Sequence, residues 1–197
     1  QFPYEIDKAI PEVVHRYFAA ALGFLAILLV YFAFKYQLPK KIKAITSFLL
    51  FFICCQGLFG YLTVSLKLLP IIVTGHLFGG FITLSLFFYL FLNTTNGIKN
   101  HNIGHLKVLG GIALFALIVQ IFLGVWTSTN YASLACADFP TCQGKFIPEM
   151  DFREGFNLAQ EVGPNYLYGL LDNEARVAIH YSHRISAIVL TIIFLIL

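Results

Sequence analysis

Acidic residues are missing from most of this chain. Its 197 residues include ten Asp and Glu, all of them within positions 5–12 or 138–174. Charged residues of both signs make up 12% of the sequence, against roughly 25% in an ordinary soluble domain. One Met and one Trp are present, and four Cys, too few for a disulfide scaffold. So little charge in so apolar a chain excludes a water-soluble enzyme, a disordered tail and a nucleic-acid binder. The net charge of +3 does not argue for an acidic partner either, because Lys35, Lys40, Lys41 and Lys43 crowd one short segment.

What is present is apolar: 58% hydrophobic residues, with 21 Phe and 10 Tyr. A membrane-crossing helix needs about 20 mostly apolar residues, and the segments 13–36, 45–66, 71–92, 106–127 and 177–197 each supply them. Pro11, Pro39-Lys40-Lys41, Lys67 with Pro70, the run 93–97 and Ser128-Thr129-Asn130 bound them. None has the short apolar core, basic head and small-residue cleavage site of a signal peptide. Five such runs predict an all-α, polytopic transmembrane helix bundle rather than a buried soluble core. Lysines in the loops 35–44 and 93–107 place those loops on the cytoplasmic side. The turn at Lys67 and the segment 128–176, with three basic residues against seven acidic ones, then face outward. The chain opens on Gln1 and stops at Leu197 within an apolar run, as expected of a fragment cut at both ends.

Two span entries resemble each other. Glu12-Val13-Val14-His15-Arg16 aligns with His180-Tyr181-Ser182-His183-Arg184, and both helices run inward, as in two parallel half-bundles. At ~1.5 Å per residue, His15, His76 and His183 lie roughly 6–11 Å below the outer boundary. Intramembrane ionisable residues are costly and point to function. Imidazoles from separate helices at one level are what a haem iron needs. His15 and His76 make one such pair; His183 needs a partner that no remaining span supplies. A lone histidine is as readily a packing residue, but three at one depth, two of them followed by Arg, favour ligation.

Their neighbours keep two readings each. His180 and His183 share a helix face, so one can ligate while the other supports. Arg16 and Arg184 either fork onto haem propionates or snorkel to headgroups. Glu12, one turn from His15, either accepts protons from a bound substrate or is a first-turn acid matched to the helix dipole. Gly57 and Gly60 read as helix packing, and Gly75, Gly79 and Gly80 beside His76 as cofactor clearance. His101 and His105 read as solvated or interfacial. In the outward segment, Asp138 and Pro140 favour a turn bringing Cys136 and Cys142 together, as a structural disulfide or a redox-active pair. Closing that loop would contribute about 2–3 kcal/mol. Cys54 and Cys55 lie mid-span, as reduced packing residues. The polar stretch 143–176 shows no period and is expected to cap the outer mouth.

Taken together, four features resemble the haem A synthase family, eight-span enzymes of respiratory membranes. They are Glu12-x-x-His15-Arg16, His76 after Thr74-Gly75, the run 123–131 leading to Cys136-x5-Cys142-Gln143-Gly144, and the run 171–176 leading to His180-x-x-His183-Arg184. The likeness covers nearly the whole chain. It implies an oxidoreductase acting on a CH or CH2 group, which converts the C8 methyl of haem O to the formyl of haem A with oxygen from water. It implies two parallel four-helix repeats. Residues 1–105 would hold the substrate haem at His15, His76 and Arg16, with Glu12 assisting proton removal. Residues 106–197 would hold haem b, with His183 as axial ligand and His180 and Arg184 beside it. The family's first span, its first cysteine pair and its last two spans, which should carry the second haem b ligand, are absent here. Implied partners are haem O synthase, the assembly of haem-copper oxidase and the lipid bilayer, with no nucleic acid and a homo-oligomer left open. The implied place is the bacterial plasma membrane, with the haem sites and the cysteine loop towards the outer face.

The competing reading is a cytochrome b-type electron-transfer bundle, which needs neither Glu12 nor the cysteine pair. A di-iron hydroxylase would need more clustered histidines than His180-x-x-His183, and a transporter would place its ionisable groups at midplane.

Overall fold

A computed structural model describes residues 6–95, 104 and 106–197 of the chain, with side chains from Ile10 onward. It is helical: α1 (Ile6–Lys35), α2 (Lys40–Ser65), α3 (Pro70–Thr94), α4 (Leu106–Thr129), α5 (Phe152–Gly155) and α6 (Asn173–Ile196). Among the described residues there is no strand, and a single bridge joins Cys142 and Lys145. The five expected spans are all present as helices long and apolar enough to cross a membrane. Helices satisfy every backbone group internally, which an apolar surrounding demands. Hydroxyls within the spans do the same: Thr46, Thr74, Thr83 and Thr127 each donate to the carbonyl four residues earlier, at 2.7–3.0 Å.

Beyond extensions of α2 back to Lys40, of α3 and α4 on to Thr94 and Thr129, and of α6 back to Asn173, two departures from expectation stand out. α1 begins at Ile6, so Pro11 lies inside it rather than before it. As the sixth residue of α1, Pro11 lies in its second turn and lacks the N–H that would bond the carbonyl four residues earlier. The second is α5, a single turn within the stretch expected to be irregular. Asp151 caps it, its carboxylate accepting the Glu154 N–H at 2.9 Å; the spacing Asp151-x-x-Glu154 is the sequence signal for such a turn.

The described residues form two compact units, 6–58 with 79–95, and 59–78 with 104 and 106–197. The first contains α1 and the adjoining parts of α2 and α3. Ala26 and Ala33 of α1 are buried, as are Leu49 and Leu90, and Gly23 lies against Ile53. Small residues let helix backbones approach where no water drives them together. The lysines that set the expected topology tie helix ends here. Lys41 donates to Asn93 at 2.9 Å and stands 5.1 Å over the Tyr89 ring, and Lys43 donates to Gln37 at 2.9 Å.

The second unit is built on α4 packed along α6. Trp126 is fully buried among Ala132, Leu171, Ala175 and Ile179. Its indole N–H donates to the Gly155 carbonyl at 2.8 Å, fixing α5 against α4. The Asp151 N–H donates to the Glu174 carbonyl at 3.1 Å, tying the same segment to the start of α6. Further on, the Tyr166 N–H donates to the Lys67 carbonyl at 3.1 Å, and the Lys67 ammonium donates to the Gly163 carbonyl at 2.8 Å. These bonds draw the α2–α3 turn into the second unit.

Gly155 has no room for a side chain, since a Cβ there would lie 2.7 Å from the Ala175 carbonyl oxygen. Gly155→Ala should therefore cost about 1–3 kcal/mol through overpacking and lower the thermal midpoint in detergent. Gly110→Ala, in open space on α4, should leave it unchanged or raise it slightly.

Candidate functional site

The sequence-predicted residues fall into two groups. Glu12, His15 and Arg16 sit on α1 in the first unit, on an exposed stretch. Arg16 clasps the Glu12 carboxylate with Nη2 at 2.6 Å and Nε at 3.2 Å. Their side chains are 63% and 51% exposed, so the pair faces outward from its own unit. Cys54 and Cys55 of α2 are unbonded thiols, as expected. His101 and His105 lie outside the described residues.

The second unit brings together His180, His183, Arg184 and the cysteine loop. Cys136 and Cys142 are joined in a disulfide and buried. Arg184 was expected to meet a propionate or headgroups; its donors turn instead to the loop. Nη1 bonds the carbonyls of Asp138 at 2.6 Å and Thr141 at 3.1 Å, and Nη2 bonds that of Cys136. The guanidinium also stands 5.9 Å from the centre of the Phe139 ring. A half-buried cation is here balanced by carbonyl dipoles and a π face.

His180 belongs to the same anchor. Cys136 N–H lies 3.2 Å from its Nδ1, and Arg184 Nε lies 3.2 Å from its Nε2. A neutral imidazole accepts at one nitrogen only, so one of these contacts is a close approach rather than a full bond. Either way both nitrogens face loop or guanidinium. The contact between Arg and the residue four earlier recurs in Arg16–Glu12 and Arg184–His180, matching the register of the internal repeat.

Within the loop, Asp138 accepts from the Thr141 hydroxyl, the Gln143 N–H at 2.7 Å and the Gly144 N–H at 3.0 Å. Gln143 and Gly144 both adopt left-handed φ, 54° and 74°, which aims successive amides at one anion. The Thr141 hydroxyl first, then the Gly144 amide, hold the Asp138 carboxyl down at about 2.

His183 points its Nδ1 at the Gln120 amide of α4, 3.0 Å away. Its ring rests on Gly124, where a Cβ would come within 3.2 Å of Cε1. His76 is seated alike: a Cβ on Gly60 would come within 3.3 Å of its Cε1. The glycine roles expected from sequence change accordingly. Gly60 seats an imidazole, Phe59 fills the space at Gly75, and Gln56 fills that at Gly79, leaving only Gly80 of the three open. Gln120 escaped the sequence reading, although a lone amide in an apolar span is itself a signal. Among the described residues no three His, Cys, Asp or Glu side chains gather as an ion site. Single imidazoles on separate helices suit an iron whose equatorial ligands come from elsewhere, as in a porphyrin.

These features define a polytopic helical integral membrane protein with histidines seated on glycines of neighbouring helices. The chain belongs to the COX15-CtaA family of cytochrome oxidase assembly proteins, whose family model matches residues 3–197. A protein named heme A synthase from Shewanella oneidensis is 38% identical over 98% of this chain and 59% of its own length. Proteins of the same name from Neorickettsia sennetsu and Shouchella clausii are 28% and 26% identical, over 94% and 96% of this chain. The chain spans 54–59% of the length of these relatives. No solved structure matches it.

The depressed Asp138 carboxyl makes the loop acid-sensitive. Its native value of about 2 lies below an unfolded value of roughly 3.9. The ordering it gives is therefore complete above the unfolded value and is lost as pH falls through the native one. Reduction of Cys136–Cys142 by a phosphine should accelerate, relative to Asp138→Asn at the same pH, as pH drops from about 5 towards 2. Above pH 5 the parent should be the slower of the two at every pH.

Proposed function

We propose that the chain carries haem A synthase activity: oxidation of the C8 methyl of haem O to the formyl of haem A, with oxygen from water. The observation that carries the reading is the seating of His183 on Gly124 beside Gln120. The 38% identity to a protein named heme A synthase supports it. Residues 1–105 form the substrate side and 106–197 the cofactor side, with the haem sites and the cysteine loop towards the outer face of a bacterial plasma membrane.

The donor set fits the groups this activity implies. His183 has one ring nitrogen tied to Gln120 and no side chain beneath its ring at Gly124, which suits an imidazole that would ligate a metal. It would hold haem b, which when bound supplies one-electron transfer away from the substrate side. His15 and His76 would hold the iron of the substrate, haem O, and Arg16 a propionate. Taking a methyl to a formyl with water releases four protons and four electrons. Glu12, on the same face as His15 and one turn away, takes up protons as the methyl is oxidised. Arg16 keeps that carboxylate in place through two N–H contacts. His180 and Arg184 hold the cysteine loop, and with it the entry of α6, in register. Upstream stands the enzyme that makes haem O, and downstream the assembly of cytochrome oxidase.

Pigment extraction from membranes that hold the protein and a haem O source tests the reading. Haem O and haem A should accompany haem b, whereas haem b alone would identify an electron-transfer protein. Glu12→Gln should keep its bound haem and lose haem A output by about a hundredfold or more. Unchanged output would remove Glu12 from the chemistry.

A further inference from the structure

We infer that Gln120 is a positioning residue: its side-chain carbonyl accepts the Nδ1 proton of His183, fixing the tautomer that leaves Nε2 with a free lone pair. The inference rests on the reading of His183 as a haem ligand and adds what makes that imidazole competent.

The geometry fixes contact but not polarity. A terminal amide atom of Gln120 lies 3.0 Å from His183 Nδ1. The nitrogen and oxygen of a side-chain amide exchange on a half-turn and are assigned from the network around them. With nitrogen toward the ring, Nδ1 must accept and the ring proton sits on Nε2, the atom an iron would need. Gln120 Oε1 is then buried with no hydrogen-bond partner. The half-turn reverses both faults: Oε1 accepts Nδ1–H, and Nε2 is freed.

A second observation comes from the same helix face. Gly124 is one turn beyond Gln120, and the His183 ring lies against it. Gly124 sets how near the ring approaches α4, and Gln120 sets its rotation. The residue following His183 is Arg184, held by loop carbonyls on α6. The imidazole is thus constrained from both helices before any ligand arrives. A carbonyl on Nδ1–H also makes the ring a stronger donor to a metal.

Two readouts test this without relying on turnover. The first uses the protein prepared without haem and labelled with 15N at histidine, with His183→Ala to assign the signal. His183 should show the Nδ1–H nitrogen pattern, and Gln120→Leu should lose it. The second uses haem-loaded protein in its membranes. Gln120→Leu should weaken haem b retention about 10- to 100-fold and raise the haem b reduction potential. Gln120→Glu, which keeps an acceptor at the same place, should restore retention and bring the potential back down. A thermal midpoint unchanged in Gln120→Leu separates these effects from a folding defect; should that variant not fold, the nitrogen pattern of the unsubstituted protein and the behaviour of Gln120→Glu decide. An Nε2–H pattern at His183 in the unsubstituted protein would overturn the inference, as would an unchanged potential in Gln120→Leu. Haem b spectra unaffected by His183→Ala would overturn the ligand assignment instead, and leave the nitrogen pattern to judge Gln120.

Discussion

A guanidinium set among apolar helices needs partners, and in this chain the Arg184 side chain finds them in the carbonyls of Cys136, Asp138 and Thr141. Those oxygens converge on one cation because the disulfide closes the loop and because Asp138 gathers the amides of its far side. The rest of the second unit hangs on that convergence. The loop presents the Cys136 amide to His180, and α6 is held at the point where it turns His183 towards α4. Carbonyl dipoles do here what a carboxylate would do at a water-exposed surface. They neutralise a positive charge without adding a second ion that must itself be desolvated.

Trp126 serves the same unit from the other side. Its burial against α6 and its bond to Gly155 fix the polar segment over the helix ends. The α2–α3 turn is brought in by backbone bonds at Lys67. His76 and His183 therefore stand in a unit whose polar segment is tied down at several separate points, and each rests on a glycine.

Much of this was legible in the sequence, for identifiable reasons. Spans are read from hydropathy because a helix in lipid must be apolar along some twenty residues. The His-Arg pairs stood out because such side chains are expensive in that setting, and Cys136-x5-Cys142 because Asp138 and Pro140 favour a turn between two thiols. What stayed hidden depends on backbone partners or on neighbours distant in sequence. Arg184 binds carbonyls, which every residue possesses, so no residue type betrays the acceptors. Gly60 and Gly124 look like any packing glycine until an imidazole from another helix is placed on them. The start of α1 before Pro11 was missed because a proline reads as a boundary, whereas here it lies inside the second turn of the helix.

The two arginines of the internal repeat have parted ways. Arg16 clasps a carboxylate in the open, by contacts that water or an incoming anion can replace, whereas Arg184 is spent on its own backbone. Under the proposed roles this is a division of labour written into a duplicated motif. The copy facing a molecule that must arrive and depart keeps an exchangeable grip. The copy beside a resident group has given up exchange for permanence.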